Sequence, residues 1–181
     1  FDLRGASRKR EAYDVIYWRM RSMPEPRRVA FIRDLAASYG YDLGRQCRDL
    51  IMNWGELKTL AAEPLCTIGA HTVHHYELAK LPEAEARNEI AQSLGVIAEQ
   101  FGTAPRHLSY PIGDPAAAGE REFKMAADMG FASAVTTRPG GLYAADRHRL
   151  TALPRISLNG LFQQRRYIDV FATGAIFSSL R

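Results

Sequence analysis

The stretch His71-Thr72-Val73-His74-His75 sets two imidazoles four residues apart, directly after an apolar run. That run, Cys66-Thr67-Ile68-Gly69-Ala70, has the β-branched character of a buried strand. A strand that delivers His-x-x-x-His into a turn or first helical turn places two neutral nitrogen donors on one side, within reach of one cation. Zinc and its neighbours in the transition series favour such ligands. Two ligands do not complete a metal site, so a third has to come from elsewhere in the chain. The plainer reading is a pair of core or helix-capping histidines. His74, between the two, points elsewhere on a helical turn and is expected near the surface or among the groups that support the ligands.

The elements that must position these residues are read from periodicity and punctuation. Tyr13, Ile16, Tyr17 and Met20 recur at helical spacing in a first helix that ends before Pro24. A second helix follows Pro26, with Val29, Ile32 and Leu35 inward and Gly40 just past its end. The pair reads as an αα-hairpin, polar outside and apolar inside, with Tyr13, Tyr17 and Trp18 packing it. Asn53 with Glu56 three residues on opens a short helix through Leu57 and Leu60. After the 66–70 strand and the histidines, Ile90, Leu94, Ile97 and Phe101 step by four, three and four in a helix closed by Gly102. A short strand from His107 to Tyr110 runs into a Pro111-Ile112-Gly113-Asp114-Pro115 loop, and another helix runs from Gly119 to Met129. Further strands are expected at Phe131–Thr137 and Leu153–Leu158, with a last helix near Tyr167–Phe171. Alternating strands and helices give a parallel α/β sheet or barrel. In such folds reactive groups gather where strands end. The histidines, the Tyr110-Pro111 loop, Thr136-Thr137 and Arg155 all fall at strand ends.

Composition sets the outer bounds. At 181 residues, 46% hydrophobic and 24% charged, the chain has enough apolar content for a core. No apolar run approaches the roughly 20 residues that span a bilayer. The net charge of +4 includes arginines 8, 10, 19, 21, 27 and 28, interleaved with apolar helical positions. They read as a solvated helix face, so no nucleic-acid partner is expected; a basic nucleic-acid surface is the weakest rival. Cys47 and Cys66 lack CxxC spacing and form no disulfide framework. Two lone cysteines suit a reducing compartment, which leans an otherwise open localisation toward the cytoplasm. The oligomeric state is not legible. Phe1-Asp2-Leu3-Arg4 is neither a signal peptide nor an initiator Met, so the chain is expected to be a piece of a longer one.

Ile68-Gly69-Ala70-His71-Thr72-Val73-His74-His75, with Leu78 just after, resembles the metal-binding motif of the polysaccharide deacetylases, the nodulation-type chitooligosaccharide deacetylase family. Arg106-His107-Leu108-Ser109-Tyr110-Pro111-Ile112-Gly113 resembles the same family's next motif, in its Tyr-Pro-x-Gly form. The resemblance covers roughly residues 50 to 160, and the combination of both motifs at this separation is specific. It implies a partial, distorted (β/α) barrel preceded by a helical insert over 1–50, with the deacetylase-like part over 51–181. It also implies hydrolysis of acetyl groups on an acetylated poly- or oligosaccharide. His71 and His75 would hold a divalent metal, zinc by preference, which activates water for attack on the acetyl carbonyl.

Departures from the family pattern set the remaining expectations. The family's Asp-Asp pair supplies the general base and the third ligand, yet no two aspartates are adjacent anywhere in this sequence. This chain alone is therefore expected to be inactive, the alternative being a non-catalytic carbohydrate-binding remnant of the same fold. The family's late Leu-x-His acid is replaced by Leu153-Pro154-Arg155, which leaves His148, and behind it His107, as weak candidates for the acid. Tyr110, Pro111 and Ile112 are expected to face substrate, the Ile112 N–H as an oxyanion donor. Arg155 either touches sugar or orients a carboxylate, against a structural ion pair. Thr72 is expected to brace the histidine turn or a ligand. Asp114 reads as a turn residue and Trp54 as a helix-packing aromatic.

Overall fold

The computed structural model describes residues 3–174 together with residue 177. The chain divides into two compact units, Phe1–Gly55 and Glu56–Arg181.

The first unit is helical. Helix α1 spans Ala6–Arg21, α2 spans Glu25–Ser38 and α3 spans Leu43–Leu50. Proline sets the start of α2, with Pro24 as its cap and Pro26 in its first turn, where a missing N–H costs nothing. Helix α3 was not anticipated by periodicity. Its start is fixed by Asp42, whose side chain accepts a hydrogen bond from the Arg45 main chain at 2.9 Å. The expected apolar interior is thin: Ala12 and Glu25 are the buried residues described in these helices. Tyr13, Trp18 and Leu35 lie on the surface. The aromatic residues pack along their own helix instead. Tyr13 stacks on Tyr17 at 5.8 Å and Tyr17 meets Trp18 edge-on at 5.2 Å.

Helix α4, Trp54–Ala61, opens where the units meet in sequence. In the second unit follow α5 (Glu83–Phe101), β1 (His107–Ser109), α6 (Glu120–Asp128), β2 (Ser133–Pro139), β3 (Leu153–Arg155) and α7 (Arg165–Ala172). The strands form a parallel sheet in the order β1-β2-β3. Leu108 lies beside Ala134, and Val135 beside Leu153. The register then slips, so that Pro139 reaches Arg155. This is a partial (β/α) barrel, with β1-α6-β2 as its one regular βαβ unit among the described residues.

Two expected strands are shorter than their sequence suggested. The run from Cys66 to Ala70 contributes a single parallel bridge, Ala70 to Leu108, flanking β1 on the side away from β2. Ala70 donates to His107 and accepts from Ser109, while residues 66–69 stay outside regular structure. Gly69 passes so close to β1 that a Cβ there would lie 3.2 Å from the His107 oxygen. Strand β3 stops at Arg155, so Ile156 to Leu158 are not paired. β-branched composition states that a segment suits a sheet, but pairing also needs a neighbour in register.

The core lies where α5 and α6 cover the sheet, with Ile90, Leu108, Met125, Ala126 and Ala134 buried together. On α5, Ile90 is fully buried, whereas Leu94 and Ile97 pack only at its margin. Gly102 closes α5 at φ 77°, a left-handed cap that glycine adopts without strain. No helix among the described residues is long and apolar enough to cross a membrane.

Candidate metal and substrate site

The histidine turn begins where Ala70 leaves the sheet. Ala70 is locked to β1 on both sides, so the next residue emerges at the carboxyl end of that strand. There His71 Nδ1 lies 2.6 Å from the Ser109 carbonyl oxygen. A carbonyl only accepts, so Nδ1 carries the hydrogen and Nε2 keeps its lone pair. This is how proteins fix the tautomer and direction of a metal-binding imidazole.

Of the turn or first helical turn expected here, the chain forms a non-helical turn. Thr72 and His75 adopt left-handed conformations, at φ 62° and φ 56°. They fold the chain back until the His71 and His75 rings lie 4.8 Å apart at 70°. That separation suits two imidazoles on one ion with metal–nitrogen bonds of about 2.0–2.1 Å. The Thr72 hydroxyl accepts from the His75 main-chain N–H at 3.2 Å and so braces the turn. His74 is surface-exposed and also bound. Glu89 on α5 accepts from its main-chain N–H at 3.0 Å and from Nδ1 at 2.6 Å. The ring also stacks on Tyr76 at 5.2 Å. Beyond the turn, Arg121 on α6 holds the carbonyls of Leu78 and Leu81 at 2.7 and 3.0 Å.

The second loop follows β1. Tyr110 and Pro111 are buried, so their side chains belong to the core and do not form a wall against substrate. The Tyr110 hydroxyl donates to the Thr151 carbonyl at 2.8 Å. Burial, with Glu122 as a lesser cause, holds its pKa far above that of a free tyrosine. Ile112 sits at φ 62°, and its N–H finds no acceptor among the described residues. Thr137 at β2 fixes the loop, its hydroxyl donating to the Ile112 carbonyl at 2.7 Å and its N–H to Gly113 at 2.9 Å. Gly113 is obligatory here. At φ 66°, an added Cβ would lie 2.9 Å from Thr137 N and 3.1 Å from the Tyr110 oxygen. Asp114 then accepts from the N–H groups of Ala116 and Ala117, both at 2.9 Å, as a turn residue should.

Thr72, His75 and Ile112 are the non-glycine residues with positive φ among those described, and all three fall in these two loops. Two of them are β-branched, for which this conformation is a true outlier. Each costs on the order of 1–3 kcal/mol and persists only where its surroundings enforce it. Such strain gathers at working sites.

The remaining candidates stand apart from the turn. Arg155 is exposed at the carboxyl end of β3 and has no partner among the described residues. His148 is exposed, and its Nε2 accepts from Arg147 at 2.9 Å. His107 opens β1, bonds Ser133, and therefore sits at the amino end of the sheet, away from His71. A cavity of about 530 Å³ shares that amino end: Thr67, Ile68, Phe101, Arg106 and His107 line it. It is not the histidine site. Trp54 is partly exposed at the head of α4, and both cysteines are free. Among the described residues no three His, Cys, Asp or Glu side chains gather as one ligand set. The donors present thus fit a metal as an ordered pair of imidazoles, not as a complete shell.

Periodicity missed Glu89 and the Ser109 carbonyl. The carbonyl carries no side-chain signal at all. Glu89 did leave one: it falls on the inward stripe of α5 with Ala86, Ile90 and Ser93, an acidic residue where apolar ones were due.

A family model for polysaccharide deacetylases matches residues 31–134, from within α2 into β2. Among solved structures, the Streptococcus pyogenes deacetylase PplD, determined in complex with acetate, is similar at a TM-score of 0.58 and 20% identity, over 68% of this chain and 50% of that one. IcaB from Ammonifex degensii is similar at a TM-score of 0.52 and 22% identity, over 66% of this chain and 52% of that one. At such identities the likeness establishes the fold. The chain spans about half the length of these structures. No curated protein matches it.

Proposed function

The chain belongs to the polysaccharide deacetylase family, and on that premise we propose that it carries the histidine half of a divalent-metal site, serving hydrolytic removal of acetyl groups from an acetylated poly- or oligosaccharide. The observation that carries this reading is the 4.8 Å approach of His71 and His75 with the His71 tautomer already set by Ser109. His71 Nε2 and the His75 ring would hold the ion, zinc by ligand type. Bound there, the metal supplies Lewis-acid polarisation and a lowered pKa for water. The chain's own part is positional. Thr72 and Glu89 hold the turn, Ser109 holds the ring, and the Ile112 N–H, without an acceptor among the described residues, would donate to an acetyl oxygen as it gains charge. Arg155, at the same end of the sheet, is available to the sugar.

The experiment is a Zn²⁺ titration of the chain against a chromophoric chelator, with His71→Ala and His75→Ala beside it. Binding by the parent chain should fall at least tenfold in each variant. Equal affinity in all three would refute the reading. In a longer chain that includes an Asp-Asp motif, acetate release should be lost in the double variant.

A second reading is supported by the absence of a three-residue ligand cluster among the described residues. On this view the chain is a non-catalytic carbohydrate-binding relative of the same fold. It predicts retention of acetylated oligosaccharide without acetate release, unaffected by chelation.

A further inference from the structure

We propose that Glu89 is a positioning residue for the metal pair: through His74, it fixes the main chain that carries His71 and His75. This rests on the metal reading above.

Glu89 is 6% exposed on α5, and both of its carboxylate oxygens are committed to one residue. Oε2 accepts from the His74 N–H and Oε1 from the His74 ring. A buried carboxylate requires such satisfaction. The fork does more than satisfy it. Gripping the peptide N–H and the ring together fixes both the rotation of the Val73–His74 peptide and the χ angles of His74. That peptide lies between Thr72 and His75, the two left-handed residues that turn the rings toward each other.

The turn is held at its ends as well, and at His71 by the Ser109 carbonyl. Ala70 is bonded to β1 at the entrance. Leu78 is buried at the exit, where Ala79 donates to Ala117. Glu89 is the contact from α5 that reaches the middle. His74 is thereby not a ligand but the handle by which a helix sets the spacing of two ligands. Thr72 braces the same turn from inside and Ser109 holds the His71 ring from β1, while Glu89 ties the middle of the turn to α5.

The alternative is that Glu89 merely ties the turn to α5. A tie would change the melting temperature of the metal-free chain without altering the affinity of the folded chain for metal. The test therefore reads both quantities in Glu89→Gln, His74→Ala and the double variant. Zn²⁺ affinity is measured by chelator competition, and unfolding is followed in chelator alone. Gln keeps one accepting oxygen and loses the fork. Glu89→Gln should weaken Zn²⁺ binding by about tenfold or more, the scale seen when residues supporting metal ligands are removed. The double variant should be no weaker than the weaker single one, because both act through one contact.

Wild-type zinc affinity in folded Glu89→Gln would overturn the proposal, as would fully additive losses. Should Glu89→Gln not fold, unchanged affinity in His74→Ala overturns it equally. If the parent chain titrates like His71→Ala, the metal reading has failed and the proposal falls with it. That result is distinguishable because it appears before Glu89 is touched.

Discussion

Replacing Gly113 by alanine should destabilise the second unit by about 2–5 kcal/mol, and the structure divides that figure into two parts. The first is conformational. Gly113 sits at φ 66°, where a residue bearing a Cβ loses about 1–2 kcal/mol. The second is steric. The new methyl would meet Thr137 N at 2.9 Å and the Tyr110 oxygen at 3.1 Å, main-chain atoms that move only if the strand ends move. Forcing extra volume into such a site costs about 1–3 kcal/mol. Gly130 isolates the first part. It lies at φ 81° with nothing within 4 Å of its Cβ position, so Gly130→Ala should lose only the conformational 1–2 kcal/mol. Both variants reduce unfolded-state freedom alike, so that contribution cancels in the difference. Urea unfolding of the parent and both variants reads the comparison directly, provided the m-values agree. If Gly113→Ala is no less stable than Gly130→Ala, the Tyr-Pro-x-Gly loop is not pressed against β2 as described, and the argument for its fixed main chain fails.

Other substitutions probe single contacts. Tyr110→Phe removes a buried hydroxyl from the Thr151 carbonyl and should lower stability at neutral pH by about 1–2 kcal/mol. The same variant tests a pH effect. Burial raises the Tyr110 pKa in the folded state, so its contribution is complete below about pH 10, where a free tyrosine ionises, and is lost as pH rises further. The parent should therefore lose stability above pH 10 more steeply than Tyr110→Phe; parallel slopes in alkaline denaturation would contradict this. Asp42→Ala should cost about 1 kcal/mol in the first unit, since the α3 cap is lost. An unchanged far-ultraviolet melting curve would show that the Asp42 bond contributes nothing.

How much of this was legible in the sequence depends on whether the signal was local. Helix α5 was, since Ile90, Leu94 and Ile97 repeat at 3.6 residues and Gly102 supplies the stop. Helix α3 left fainter marks, a capping Asp42 and a stripe of Leu43, Cys47 and Leu50 too short to stand out. The 66–70 strand was over-read because branching at Thr67 and Ile68 reports conformational preference, whereas pairing is decided by a distant neighbour. The histidine pair was found for a reason that proved incomplete. Spacing brought His71 and His75 to notice as neighbours on a turn or first helical turn, and two left-handed residues make it the former. The Tyr110 motif was likewise located; Tyr110 itself is buried, and the Ile112 N–H finds no acceptor among the described residues. Glu89 lies fifteen residues from His74, and no periodicity links the two.

Both loops are fastened by groups that every strand possesses. The histidine turn hangs from Ser109 on β1, and the Tyr-Pro-x-Gly loop hangs from Thr137 on β2. Adjacent strands keep a pitch of about 4.8 Å whatever side chains they carry. The sheet thus serves as a ruler for the two loops, and substitutions at exposed positions such as Val73 and Arg155 leave the interval between them unchanged.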